Sequence, residues 1–133
     1  MAKQTLSRSQ ASGSRQSGAQ WEKSAELFLC NQGLKLLQRN FSSRLGEIDL
    51  IMEDETTIVF VEVKYRKSSQ HGSGADAVTF QKQRKISQTA AWYLACHPHR
   101  AEQLCRFDVI SIETRHDDQS IRWIKGAFYS TIG

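Results

Sequence analysis

The feature of the sequence that most constrains the fold is a pair of adjacent strand patterns, Glu47–Met52 and Ile58–Lys64. The second run alternates and is rich in β-branched and aromatic residues, which is typical of a half-buried strand. The polar segment Asp54–Thr57 between them suits a four-residue hairpin loop. We therefore expect an antiparallel hairpin whose apolar residues form one core-facing surface: Ile48, Leu50, Met52, Val59, Val61 and Val63.

The same hairpin brings acidic side chains together on its other face. Carboxylates that face each other across a sheet repel by up to about 1 kcal/mol, and a divalent cation between them reverses the sign. The pattern therefore indicates a metal site between Asp49 and Glu62. The register that the loop imposes pairs Glu53 with Ile58, Ile51 with Phe60, Asp49 with Glu62, and Glu47 with Lys64.

The remaining patterns predict the element order α-β-β-β-α-β-β. A first helix begins near Gln20 and ends at Gly33, and a second runs from about Thr79, as its N-cap, to Cys96. Short strands are expected over 34–38, 105–112 and 121–124. Strands between two helices predict an α/β fold, namely a three-layer α/β/α sandwich around a mixed sheet.

Charge and composition divide the chain into a tail and one domain. Residues 1–19 are rich in Ser, Gln and Gly and predict a disordered basic tail, while 20–133 suffice for a single domain. A loop rich in Ser, Gly and Gln is expected over 68–74. Between Lys64 and Lys85 there are six bases against Asp76 alone, although the net charge of the chain is only +4. A basic stretch beside an acidic hairpin favours a metal site next to a polyanion.

Several classes of protein are excluded by the sequence. No run approaches the roughly 18 apolar residues of a membrane span, and the first residues lack the apolar segment of a secretory signal. The three cysteines are few and odd in number, so a disulfide framework is not expected. Sparse cysteines without disulfides favour the reducing cytoplasm. We expect a cytoplasmic protein with no membrane partner. A zinc site would lack the usual C-x₂-C pair and is the weaker candidate; it would use Cys96, His97, His99 and Cys105.

The motifs, taken in order, resemble those of one family. Asp49 followed by Glu62-Val63-Lys64 is similar to the Asp…(Asp/Glu)-x-Lys signature of restriction-endonuclease-like nucleases, although Ile48 stands where that signature often has Pro. The whole set more closely resembles the YraN family of bacterial proteins, which is assigned to that nuclease-like fold. The other matching pieces lie within about residues 18–128: Trp21-Glu22-x-x-Ala25, Gly33, Gly46–Ile51, Val59–Arg66, the Lys82–Lys85 helix and Arg106–Val109.

The resemblance implies a restriction-endonuclease-like sandwich with a hydrolytic site. The carboxylates of Asp49 and Glu62, with the main-chain carbonyl of Val63, would bind Mg²⁺ or Mn²⁺ through oxygen. Lys64 would orient or deprotonate the attacking water, or stabilise the scissile phosphate. Glu22 would complete the site, as an acid of the first helix does in resolvase-like nucleases; alternatively it is a first-turn acid that suits the helix dipole.

Three basic residues near the predicted site have two possible roles. Arg66, Lys82 and Lys85 either contact backbone phosphates or are merely exposed to solvent. Glu47 is expected to be a salt-bridge partner of Lys64, or to support a metal ligand, rather than to bind the metal itself. The expected partner is nucleic acid, with DNA ahead of RNA, and a homodimer would be required to cut both strands.

Three functions remain open on the sequence. The first is a metal-dependent endonuclease-like protein that hydrolyses phosphodiesters in DNA, including branched or damaged DNA. The second is a non-catalytic nucleic-acid-binding domain with a vestigial nuclease site. The third is a protein-interaction domain that uses its acidic face. Opposed carboxylates favour the first, because a domain that only binds has no need of them.

Overall fold

In a computed structural model, the part of the chain that is described, residues 14–67 and 78–131, contains five strands and two long helices. Residues 1–13 of the predicted tail and the predicted loop over 68–74 lie outside the described residues. The predicted order α-β-β-β-α-β-β is confirmed. The elements are α1 (Ser14–Asn31), β1 (Lys35–Ser43), β2 (Gly46–Asp54), β3 (Thr57–Lys67), α2 (Phe80–Cys96), a short 3₁₀ turn (Pro98–Arg100), β4 (Cys105–Arg115) and β5 (Asp118–Phe128).

The strands form one mixed sheet whose spatial order is the chain order β1-β2-β3-β4-β5. The β3–β4 pair is parallel and the other neighbours are antiparallel, so α2 serves as the crossover between parallel strands. The two helices cover opposite faces of the sheet. One apolar cluster contains Ala25 and Leu29 of α1, and the other contains Ile86 and Tyr93 of α2. The predicted three-layer sandwich is confirmed.

The β2–β3 hairpin has the predicted register in the half that adjoins its loop. Ile51 pairs with Phe60 as expected, but Asp54 also pairs with Thr57. The loop is therefore two residues long, and the predicted four-residue loop is wrong. Glu55, its first residue, has a φ of 58°, as the tight hairpin turns that match strand twist require.

The other end of the hairpin differs from the prediction. The β2–β3 ladder ends at the pair Leu50–Val61, so the predicted pairs of Asp49 with Glu62 and of Glu47 with Lys64 do not form. Glu47 pairs instead with Ser42 of β1. The two strands separate at this end because β2 follows β1 while β3 continues beside β4.

Ile48 lies on the opposite face of β2 from the one predicted. It packs with Ile51 against α2, whereas Leu50 and Met52 pack against α1. Residues three apart share a face only where a strand departs from strict alternation. The alternation fails between Ile48 and Leu50, so the departure falls at Asp49.

A glycine caps the C-terminal end of α1. The helix begins at Ser14 rather than near Gln20, and its last residue is Asn31. Gly33, two residues further on, has a φ of 100°. There the N–H of Leu34 donates to the carbonyl of Leu29 at 3.1 Å, and the N–H of Gly33 donates to the carbonyl of Cys30 at 3.0 Å. This is the Schellman arrangement that glycine favours.

The N-cap of α2 agrees with the sequence, whereas the edge strands differ from it in length. Thr79 is the predicted N-cap, and its Oγ1 accepts the N–H of Lys82 at 3.2 Å. The edge strands β1 and β5 are longer than predicted, because a strand with one exposed face and one free edge needs no continuous apolar alternation. Within the described residues, no helix is long and apolar enough to cross a membrane.

Candidate active site

Asp49 lies where β2 and β3 separate. Its Oδ2 accepts the main-chain N–H of Val63 at 2.8 Å, beyond the last paired residues of the ladder. The carboxylate thus takes the place of the main-chain acceptor that a continued antiparallel ladder would supply. Because the N–H and C=O of a strand residue leave the backbone on the same side, the Val63 carbonyl also lies on the β2 side.

The surroundings of Asp49 oppose its ionisation. Burial raises the pKa of Asp49 to about 7, the negative charge of Glu62 acts in the same direction, and Glu22 contributes less. The N–H of Val63 and the ammonium of Lys82 act in the opposite direction without cancelling the effect. Two carboxylates in such proximity favour either a shared proton or a cation. A strongly raised pKa in a cluster of this kind is a property of functional sites.

Glu62 is buried beneath a lysine of α2. The residue is 8% exposed, and its Oε2 lies 2.9 Å from Nζ of Lys82. The hydrogen bond to Glu62 raises the pKa of this lysine, and the negative charges of Glu62, Asp49 and Glu47 act in the same direction. Lys82, which the sequence suggested for phosphate contact, therefore lies against the carboxylate pair. The helix α2 thus places a positive charge on the negative site.

Glu22 approaches the site from α1. Its Oε1 accepts a hydrogen bond from Nδ2 of Asn40 at 2.9 Å, and its charge raises the pKa of Asp49. Since α1 begins at Ser14, Glu22 is well inside the helix, and the alternative of a first-turn acid is wrong. One turn later, Glu26 receives two hydrogen bonds from Arg39, at 2.7 and 2.9 Å, which tie α1 to β1.

Asn40 is the residue of this site that the sequence analysis missed. It lies on β1 with a φ of 48°, between the residues that pair with Leu50 and Ile48. Asn is one of the few residues that adopt this left-handed conformation readily. An Asn between Arg39 and Phe41 of an edge strand was the available signal, and it is a weak one.

The remaining predicted residues differ in their accessibility. Lys64 follows Glu62 by two residues in β3, so both side chains leave the same face of the strand. Lys85 is exposed on α2, where its stem packs over Gly46 of β2. Arg66 is mostly buried, with Nη2 3.5 Å from Oε1 of Glu113 on β4. Lys85 is thus available to a phosphate, whereas Arg66 is engaged within the sheet.

The donors fit a hard divalent cation. Asp49 and Glu62 offer carboxylate oxygens, and the Val63 carbonyl lies on their side. Mg²⁺ is usually bound by one or two carboxylates together with water and substrate phosphates. In the described part of the chain, no group of three or more His, Cys, Asp or Glu is placed to hold a metal, so the four residues of the zinc alternative are not gathered into such a group and the carboxylate site offers two acidic side chains. His97 instead contacts the carbonyl of Tyr93 through Nδ1 at 2.8 Å.

A groove of about 610 Å³ lies elsewhere in the molecule. It is mostly apolar and runs between α2 and strands β4 and β5, lined by residues that include Phe60, Ala90, Phe107 and Phe128. None of the carboxylates described above lines it. Its chemistry suits burial of apolar surface rather than hydrolysis.

The sequence has many close relatives. A family model described as "Uncharacterised protein family UPF0102" matches residues 21–112. A "UPF0102 protein" of Stutzerimonas stutzeri is 41% identical over 119 residues, which is 90% of this chain and 99% of that protein. Proteins with the same description from Alcanivorax borkumensis and Vibrio campbellii are 42% and 46% identical; they cover 85% of this chain each, and 91% and 92% of their own length. The matched segment contains Glu22, Asp49, Glu62, Lys64 and Lys82.

Proposed function

The chain belongs to the uncharacterised protein family UPF0102, the YraN family, and because that family's segment holds the whole carboxylate site, we propose that the protein is a metal-dependent, endonuclease-like phosphodiesterase acting on DNA. The observation that carries the proposal is the pair of carboxylates formed by the partly buried Asp49 and the buried Glu62, in which burial and then the charge of Glu62 raise the pKa of Asp49 to about 7. Such a pair costs stability unless a cation binds it, so a purely structural role explains it poorly. The resemblance to restriction-endonuclease-like nucleases agrees with this reading.

The residues of the site would have three different roles. Asp49, Glu62 and the Val63 carbonyl would hold Mg²⁺ or Mn²⁺, which supplies Lewis-acid stabilisation of the charge on the phosphate. Lys64 would orient the attacking water or take its proton, because its side chain leaves the same face of β3 as Glu62. Glu22 would add negative charge from α1, in the position that Asn40 gives it.

The nucleic acid would lie along the start of α2. Lys82 and Lys85 are exposed there, and a helix N-terminus itself favours phosphate. Arg66 is a weaker candidate for phosphate contact, since it pairs with Glu113. The preference for DNA, and for branched or damaged structures, depends on the resemblance to junction resolvases. Cleavage of both strands would require two copies of the chain.

The proposed place of action is the cytoplasm. Cys30, Cys96 and Cys105 are all free thiols with exposed positions. Free, exposed thiols are kept reduced in that compartment.

The test is a titration followed by a cleavage assay. Mn²⁺ and Mg²⁺ are titrated calorimetrically into the wild-type chain and into Asp49→Asn/Glu62→Gln, with and without DNA. We expect binding that the double variant loses. Branched, nicked and single-stranded DNA are then incubated with the wild type and with Lys64→Ala, which should lose cleavage while keeping most of its affinity.

The same assays separate the two alternatives. Salt-dependent DNA binding without metal binding or cleavage would favour the non-catalytic nucleic-acid-binding domain. Failure to bind DNA at any salt concentration would favour the protein-interaction domain. Either result would contradict the proposed activity.

A further inference from the structure

Lys82 occupies an unusual place on its helix. It is in the first turn of α2, where the Thr79 hydroxyl accepts its N–H and where no acidic residue is present. The N-terminus of a helix carries partial positive charge, which disfavours a cation. The side chain nevertheless lies across to β3, with Nζ 2.9 Å from Glu62. The carboxylate site, rather than the helix, therefore determines the position of this ammonium group.

The oxygen that Lys82 contacts is also one that a divalent cation would use. The ammonium group of Lys82 lies 2.9 Å from Oε2 of Glu62, and it would repel a metal ion bound to the same carboxylate. The lysine and the metal therefore cannot both bind this oxygen strongly. The side chain of Lys82 is 54% exposed, and ion pairs with such an exposed partner are weak. Displacement of the lysine by a metal is therefore energetically easy.

The displaced lysine would remain beside the start of α2. There the partial positive charge of the helix N-terminus and a lysine that has lost its carboxylate together suit a phosphate oxygen. We propose that Lys82 is a positioning residue that exchanges partners: it holds Glu62 in the metal-free protein and moves to a substrate phosphate when a divalent cation occupies Glu62. This inference rests on the proposed function, since it assumes the metal and the phosphodiester.

The exchange couples two binding events. Metal and DNA each require the Lys82–Glu62 contact to break, so the second ligand to bind does not meet that cost again. Coupling of this kind is reciprocal, and each ligand raises the affinity for the other by the same factor. Direct attraction between metal and phosphate adds to the coupling, and only the part due to Lys82 disappears when the lysine is replaced.

The experiment measures Mn²⁺ affinity by calorimetry without DNA, in the wild type and in Lys82→Gln, Lys82→Arg and Arg84→Gln. Arg84 is an exposed base on the same helix and serves as the matched control for loss of one positive charge. We expect Lys82→Gln to bind Mn²⁺ about fivefold more tightly, the equivalent of one weak ion pair. Lys82→Arg and Arg84→Gln should stay close to the wild type.

A second measurement tests the phosphate half of the exchange. In a Lys64→Ala background, which keeps the DNA intact, Lys82→Gln should weaken DNA binding more with Mn²⁺ present than with a chelator. Equal Mn²⁺ affinities of Lys82→Gln and the wild type would overturn the exchange while leaving the metal site in place, and so would an equal gain in Arg84→Gln. Absence of metal binding by the wild type, with and without DNA, would overturn the proposed function together with the exchange.

Discussion

Replacement of Asp49 by asparagine should stabilise the protein above neutral pH. Burial and the neighbouring Glu62 raise the pKa of Asp49 from its ordinary 3.8 to about 7. At about 1.4 kcal/mol per pH unit, this difference corresponds to about 4 kcal/mol of unfolding free energy that the charged form costs. Asparagine removes the charge, and its carbonyl oxygen can still accept the N–H of Val63. Lys82 loses part of its favourable environment, so we expect a net gain of about 2 kcal/mol.

The pH dependence gives this prediction its sign. Between about pH 4 and about pH 7 the folded wild type keeps a proton on Asp49 that the unfolded chain has lost, so wild-type stability falls as pH rises through this window. Asp49→Asn has no such proton. The difference between variant and wild type should therefore be small near pH 4 and reach its full size above about pH 7.

The assay is urea unfolding of both proteins at about pH 4.5 and about pH 8, with a chelator present. Asp117→Asn, at an exposed position in the β4–β5 turn, is the control for loss of a surface carboxylate. The reasoning would be refuted by a gain at the higher pH no larger than the gain at the lower one. Addition of Mn²⁺ should then stabilise the wild type and leave Asp49→Asn unchanged, because only the wild type keeps the charged ligand.

Three further predictions test the site and its support. Mn²⁺ affinity should rise up to about tenfold per pH unit below about pH 7 and level off above it, because the raised pKa of Asp49 makes the cation compete with a proton; a calorimetric series over pH that stays flat would contradict this. Gly46→Ala should lower the unfolding free energy by about 1 kcal/mol, because the added Cβ would lie 3.2 Å from Oγ1 of Thr89 and 3.3 Å from Cβ of Lys85. The control is Gly18→Ala on α1, where an added Cβ has nothing within 4 Å and should stabilise the protein by about 0.5 kcal/mol. Urea unfolding measures both changes. Asp108→Asn should lower the unfolding free energy by about 3–5 kcal/mol, since this fully buried carboxylate accepts hydrogen bonds from Arg106, Trp123 and Gly126. The Mn²⁺ affinity of the variant should be unchanged. A variant as stable as the wild type would show that these hydrogen bonds contribute little.

The local patterns of the chain predicted the elements well. The alternating run of β3, the Thr79 cap and the order of helices and strands all appear in the structure, because each depends on residues that are close together in the sequence. Gly33 ends α1 for the same reason. The edge strands were predicted too short, since their polar residues give no periodic signal.

Departures from regular geometry were not predictable. The two-residue loop with Glu55 at positive φ and the change of face at Ile48 depend on how β2 fits between β1 and β3. A strict two-residue period assumes that side chains alternate between the faces along the whole strand. The alternation fails between Ile48 and Leu50, at Asp49, which is the position that the candidate site uses.

The sequence by itself therefore determined which residues could form a carboxylate site and on which elements they lie. Only the tertiary structure decided that Asp49 bonds to Val63, that Glu62 lies under Lys82 and that Asn40 holds Glu22. The physical reason is how far apart in the sequence the interacting residues lie. Backbone preferences act over a few consecutive residues, whereas these contacts join residues 14 to 20 positions apart and exist only once the strands have paired and the helices have packed on the sheet.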